Sequence, residues 1–99
     1  MAYIVKSEQG KAKIYENKVY KRSVGSNVIA LDWNDEWVVC VEKNIVKQYS
    51  ISNGLYKRSY SSVKDAVGVN ISGDSIAIKC ANGKVKEYRA SNGSYVKSY

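Results

Sequence analysis

An all-β fold built from repeated units of antiparallel strands is what this 99-residue sequence predicts. Three observations carry the prediction. First, the chain nearly repeats itself. Ala30–Tyr60 is echoed by Gly68–Tyr99, and Tyr49/Tyr88, Asn53/Asn92 and Tyr60/Tyr99 are each 39 positions apart (88−49, 92−53, 99−60). A fixed period of roughly 20–50 residues is the mark of stacked units. Second, short runs of β-branched and aromatic residues alternate with turn residues, which is strand chemistry. Third, no window keeps apolar residues at the i, i+3, i+4, i+7 spacing of a helix.

Each unit reads as four strands, A to D. The first unit, residues 1–27, supplies only three. Tyr3–Lys6 resembles strand B, Gln9-Gly10 its hairpin, and Ala12-Lys13-Ile14-Tyr15 strand C. Tyr20-Lys21-Arg22-Ser23 is strand D, identical to Tyr56-Lys57-Arg58-Ser59. The second unit, 28–65, has strand A in Val28–Leu31, a turn at Asn34-Asp35-Glu36, B in Trp37–Val41, C in Ile45–Ile51 and D in Leu55–Tyr60. The third, 66–99, has A in Ala66–Val69, a turn at Ser72-Gly73-Asp74, B in Ser75–Lys79, C in Lys84–Arg89 and D in Ser94–Tyr99. Asn53-Gly54, Asn82-Gly83 and Asn92-Gly93 supply the positive φ of tight hairpins. The expected total is eleven strands in a single domain of 1–99, with strand A missing from the first unit.

The third unit carries a family resemblance. Asp65–Asp74, Ile76-Ala77-Ile78 and Asn82–Tyr88 together resemble one blade of the tryptophan–aspartate (WD) repeat family. Tyr15, Tyr49 and Tyr88 stand where that family often ends strand C in Trp, and the following Glu16, Ser50 and Arg89 replace its Asp. With no His in the chain, the family's Gly-His dipeptide is missing and its blade-bracing tetrad cannot form in its usual composition. The resemblance implies β-propeller blades of four antiparallel strands, which the family arranges roughly 4–8 to a ring. Fewer than three blades leave end faces and edges open, and closure by identical chains is the economical remedy. Two chains give six blades and three give nine, so a homodimer is the expectation. The blade without strand A either keeps three strands or borrows from a neighbour.

Composition narrows function. The chain is 44% hydrophobic and 25% charged, which suits an ordinary globular domain. No apolar run nears the ~18 residues of a membrane span, and the start lacks the features of a signal peptide. A soluble, cytoplasmic protein without membrane contact is expected. The tilt to Lys, Asn, Ile and Tyr points to an AT-rich genome, bacterial or viral. Imperfect, drifted repeats favour a natural origin over an idealised design.

The net charge of +7 favours anionic partners such as nucleic acid or acidic glycan. It equally serves solubility and edge protection. Cys40 and Cys80 fall at different places in the repeat and make no disulfide framework. Cys40, inside an apolar run, reads as a small buried hydrophobe. Without His, a Cys/His zinc site is excluded. Neither a metal nor another cofactor is expected.

Three candidate surfaces remain. Lys21, Arg22, Lys57 and Arg58, with their tyrosines on strand D, could bind an anionic polymer, rings stacking on bases or sugars. Lysines on an outer strand also block edge-to-edge aggregation, and that role is the simpler one. Trp33 and Trp37, at the ends of strands A and B, could form a sugar or protein contact. Packing between blades is the competing role. Asp32, Asp35, Glu36, Asp65 and Asp74 offer carboxylates, but most sit where turns want polar residues. No catalytic His, phosphate-cradling glycine loop or nucleophile elbow is present. The leading expectation is a non-enzymatic interaction module acting on a protein partner. The alternative is a propeller that binds anionic polymers or a glycan.

Overall fold

The computed structural model describes residues 3–99, so the first two residues of the unit expected over 1–27 lie outside it. Eleven strands and no helix occur among the described residues. They are β1 (Tyr3–Glu8), β2 (Lys11–Glu16), β3 (Val19–Val24), β4 (Val28–Trp33), β5 (Trp37–Glu42), β6 (Ile45–Ser50), β7 (Tyr56–Ser59), β8 (Ala66–Ser72), β9 (Ser75–Cys80), β10 (Val85–Arg89) and β11 (Tyr95–Ser98). Three antiparallel sheets result: β1-β2-β3, β4-β5-β6-β7 and β8-β9-β10-β11. Strands β4 and β8 are the A strands, and the first sheet has none. The fold is that of WD-repeat-like propeller blades, as expected. The A strands run two or three residues longer than the sequence suggests, because Asp32-Trp33 and Asn70-Ile71-Ser72 extend the pairing with β5 and β9.

The same irregularity recurs in every sheet. Between strands C and D the register shifts at Ile14/Tyr15, Gln48/Tyr49 and Glu87/Tyr88. A bulge adds local twist, and a repeated bulge gives each blade the same outer strand geometry. Beside it, a C-strand tyrosine meets a D-strand tyrosine edge-on: Tyr15–Tyr20, Tyr49–Tyr56 and Tyr88–Tyr95, with ring centroids 5.6, 5.8 and 5.6 Å apart.

Two apolar layers hold the sheets face to face. Between the first and second lie Val5, Ala12, Ile14, Val24, Val28, Val38, Cys40 and Ile51. Between the second and third lie, among others, Val39, Val41, Val46, Val69, Ile76, Ile78 and Tyr88. Strand β5 therefore buries both of its faces, which is why it is a continuous apolar run. Strands β1 and β9 alternate instead. Ile76 and Ile78 point into the core while Ser75, Ala77 and Lys79 occupy the opposite face.

Turn chemistry departs from expectation in one respect. In Asn53-Gly54, Asn82-Gly83 and Asn92-Gly93 only the glycine takes positive φ, at 74°, 89° and 75°. The Asn side chain instead accepts the amide two residues on, from Leu55, Lys84 and Ser94 at 2.9–3.0 Å. Two positive-φ residues occur together at Gln9-Gly10, Asn17-Lys18 and Lys43-Asn44, the last two with a lysine at one of the positions. A lysine there bears a steric penalty that glycine avoids. Lys18→Gly is expected to raise stability by about 1 kcal/mol in urea unfolding; a loss of stability would contradict this strain assignment.

Candidate functional site

The most organised polar contacts lie between sheets. Arg22 of β3 donates from Nη1 to the Ile51 carbonyl of the second sheet at 3.2 Å. Arg58 of β7 does the same for the third sheet, Nη1 reaching the Ala90 carbonyl at 2.7 Å. Both acceptors lie in the turn between strands C and D. The arginine stems cross the turn glycines so closely that a Cβ on Gly54 would sit 2.7 Å from Arg22 Cδ, and one on Gly93 2.6 Å from Arg58 Cδ. The Tyr-Lys-Arg-Ser strand and the Asn-Gly turn are thus two halves of one joint.

The second joint is elaborated. Gln48 is fully buried; its Oε1 accepts from Arg58 at 3.0 Å and from Tyr60 Oη at 2.6 Å, and its Nε2 donates to Ala90 O at 2.9 Å. Further ties repeat along the chain. The B–C turn accepts the first amide of the next A strand, Val28 N on Gly10 O at 2.9 Å and Ala66 N on Asn44 O at 3.0 Å. Asp32 Oδ2 accepts Ile71 N across the A strands at 2.9 Å.

The six residues singled out from sequence separate into two groups. Arg22 and Arg58 are half-buried in the joints, while Lys21 and Lys57 are exposed beside exposed Tyr20 and Tyr56. Trp33 packs against the layer between the first two sheets and donates from Nε1 to Tyr3 O at 3.2 Å. Trp37 packs against the layer between the second and third. The structure does not gather these residues into one patch. The joints escaped sequence reading because each couples residues about thirty positions apart; the readable signal was that a turn glycine follows each D-strand arginine one unit later.

The outer face of the third sheet carries a variant of the joint. Glu87, Lys97 and Tyr99 stand where Gln48, Arg58 and Tyr60 stand in the second sheet. Glu87 accepts from Ser75 Oγ at 2.5 Å and Tyr99 Oη at 2.6 Å, and these bonds hold its carboxyl below the usual range. Lys97 Nζ lies 4.8 Å from the Tyr99 ring centre. On the outer face of the first sheet, Glu8 joins Lys13 at 2.6 Å and Lys6 at 3.9 Å.

Other polar groups serve the structure. Buried Glu42 accepts Tyr49 Oη at 2.7 Å and Ser26 N at 3.1 Å. Burial first, and the Glu42 carboxylate second, push the Tyr49 hydroxyl up. Asp74 caps Ser91, accepting its amide at 2.7 Å and its hydroxyl at 2.9 Å. No three metal-ligating side chains converge among the described residues. Cys40 and Cys80 are free and buried. Burial, with Glu42 second, pushes the Cys40 thiol up to about 12. At neutral pH, Cys40 is expected to resist alkylation until the sheets separate; a time course matching the urea-unfolded chain would contradict that burial.

Comparison with known proteins agrees with this architecture. The profile of the family described as Helicobacter pylori IceA2 protein matches the chain twice, over residues 1–51 and 38–99. No curated protein matches it. Saccharomyces cerevisiae Sqt1 is similar at a TM-score of 0.75 and 12% identity, over 97% of this chain and 29% of Sqt1. The RRP9 WD40 repeats give 0.81 and 9%, over 97% of this chain and 34% of that one. BamB from Moraxella catarrhalis gives 0.76 and 14%, over 96% and 31%. The chain therefore spans about a third of each of these propellers.

Proposed function

We propose that this chain, which belongs to the Helicobacter pylori IceA2 protein family, is a non-enzymatic interaction module whose blades form a propeller ring with those of a second copy. The observation that carries the reading is the repeating joint. Each sheet grips the next through an arginine, a turn and an apolar layer, and the sheets at either end have one uncovered face. Two copies give six blades, inside the usual range. Each keeps a three-stranded blade at the joint between copies.

That joint differs from those within the chain. Lys97 replaces the arginine, and the Asn17-Lys18 turn has no glycine to receive it. Lys79 and Lys6 stand where Val41 and Cys40 are buried in the second sheet. Desolvating lysine is costly, so closure is weaker than the internal joints and depends on concentration. Light scattering across a dilution series is expected to show 22.2 kDa, twice the 11.1 kDa of one chain, falling toward one chain on dilution. A folded chain that stays at 11.1 kDa throughout would remove the ring. In this reading the protein is cytoplasmic and works through a protein partner.

A second reading is favoured by one observation: exposed Tyr20-Lys21 and Tyr56-Lys57 repeat at the same place on successive outer strands. With the net charge of +7, they support binding of an anionic polymer such as nucleic acid or acidic glycan. It draws on these residues rather than on Trp33 and Trp37, which pack between sheets. Binding to heparin or DNA that falls steeply with salt would support it, and no binding at low salt would end it.

A further inference from the structure

Strand β1 has an inner edge unlike any other in the fold. In the second and third sheets the corresponding B strands, β5 and β9, are covered on that side by β4 and β8. Strand β1 pairs with β2 alone among the described residues. The Tyr3 carbonyl, which takes the Trp33 indole N–H, lies on this edge. Backbone groups of alternate residues point the same way, so the amides of Val5 and Ser7 share the edge.

The neighbourhood shows what is uncovered. Leu31 and Trp33 of β4 are only partly buried. Their counterparts on β8, Val69 and Ile71, lie under β4 with 6% and 8% exposure. An apolar strip therefore runs beside an unpaired backbone edge.

We infer that this edge docks an extended, acidic segment of a partner protein, which adds to the first sheet as its fourth, innermost strand. Strand addition of this kind takes affinity from the backbone and specificity from alternate side chains. The repeat supplies the side-chain requirement. On β4, Ala30 packs toward the third sheet and Asp32 accepts the Ile71 amide there. A strand beside β1 would present its equivalent positions to β4, with the amide of Trp33 at the place of Ile71. The occupant consequently carries a small residue followed two positions later by Asp. The net charge of +7 favours the same acidic segment. This inference does not depend on ring closure, because the edge is open in a single chain.

The test uses the whole chain and a synthetic peptide with the sequence of residues 27–34, which contains that small-x-Asp pattern. Amide hydrogen exchange is followed residue by residue. The expected result is at least a tenfold slowing at Val5 and Ser7, with β3, β7 and β11 unchanged. A peptide with Asn in place of its Asp should bind about tenfold more weakly, since it loses a charge-assisted hydrogen bond. Unchanged exchange at Val5 and Ser7 would overturn the proposal. So would equal protection of the outer edges, or equal binding of the two peptides. Protection of Val5 and Ser7 without peptide that grows with chain concentration would give the edge to a second copy instead.

Discussion

Replacing Gln48 with alanine is expected to destabilise the chain by about 2–4 kcal/mol, combining a buried void with unpaired polar groups. Gln48 is fully buried and holds three partners: Arg58, Tyr60 and the Ala90 carbonyl. Without it, Tyr60 loses its acceptor and the Arg58 guanidinium keeps only turn carbonyls. Gln48→Glu separates the two contributions. It preserves volume and both accepted bonds but cannot donate from its side chain, as a carboxylate, to Ala90 O. It also places a charge beside Arg58, so it should cost less than alanine. Denaturant unfolding measures both; an alanine variant as stable as the parent would mean that the joint contributes nothing.

Ile76→Ala is expected to cost about 2–5 kcal/mol, as for other fully buried large-to-small changes. Ile4→Ala, at the corresponding place on β1, should cost less than about 1 kcal/mol in dilute chain, in keeping with an exposed site. The residues are chemically identical and occupy the same place in the repeat. They differ in whether a neighbouring sheet covers them: Ile76 is fully buried and Ile4 is 52% exposed. Equal losses in dilute solution would mean that Ile4 is covered, so the pair also reports on the first sheet's outer face.

Much of this architecture was legible because strand patterns report how many faces are covered. The unbroken Trp37-Val38-Val39-Cys40-Val41 marks a strand buried on both sides, and Ser75-Ile76-Ala77-Ile78-Lys79 marks one buried on a single side. The eleven strands and the absent A strand followed from the repeat itself. What sequence obscured was the use of the arginines. Tyr-Lys-Arg-Ser on an outer strand looks like a binding row, and periodicity alone cannot show that its Arg turns inward while its Lys turns out. The bulge between strands C and D and the stacking of the next sheet decide that. The Asn-Gly turns were placed correctly but for a partly wrong reason, since Asn acts through its side chain and only Gly takes positive φ. Trp33 was open between a surface and a packing role; its indole bond to Tyr3 crosses between sheets and leaves no trace in local pattern.

The central claim is that this partial propeller is completed by a second copy. Small-angle X-ray scattering over a concentration series tests it most directly, because it reads mass and shape together. The prediction is a rise toward 22.2 kDa, twice one chain, with a radius of gyration well above the 12.5 Å of the Cα trace. Scattering that fits one 37 × 26 × 18 Å arc at every concentration, with the chain folded, would contradict it.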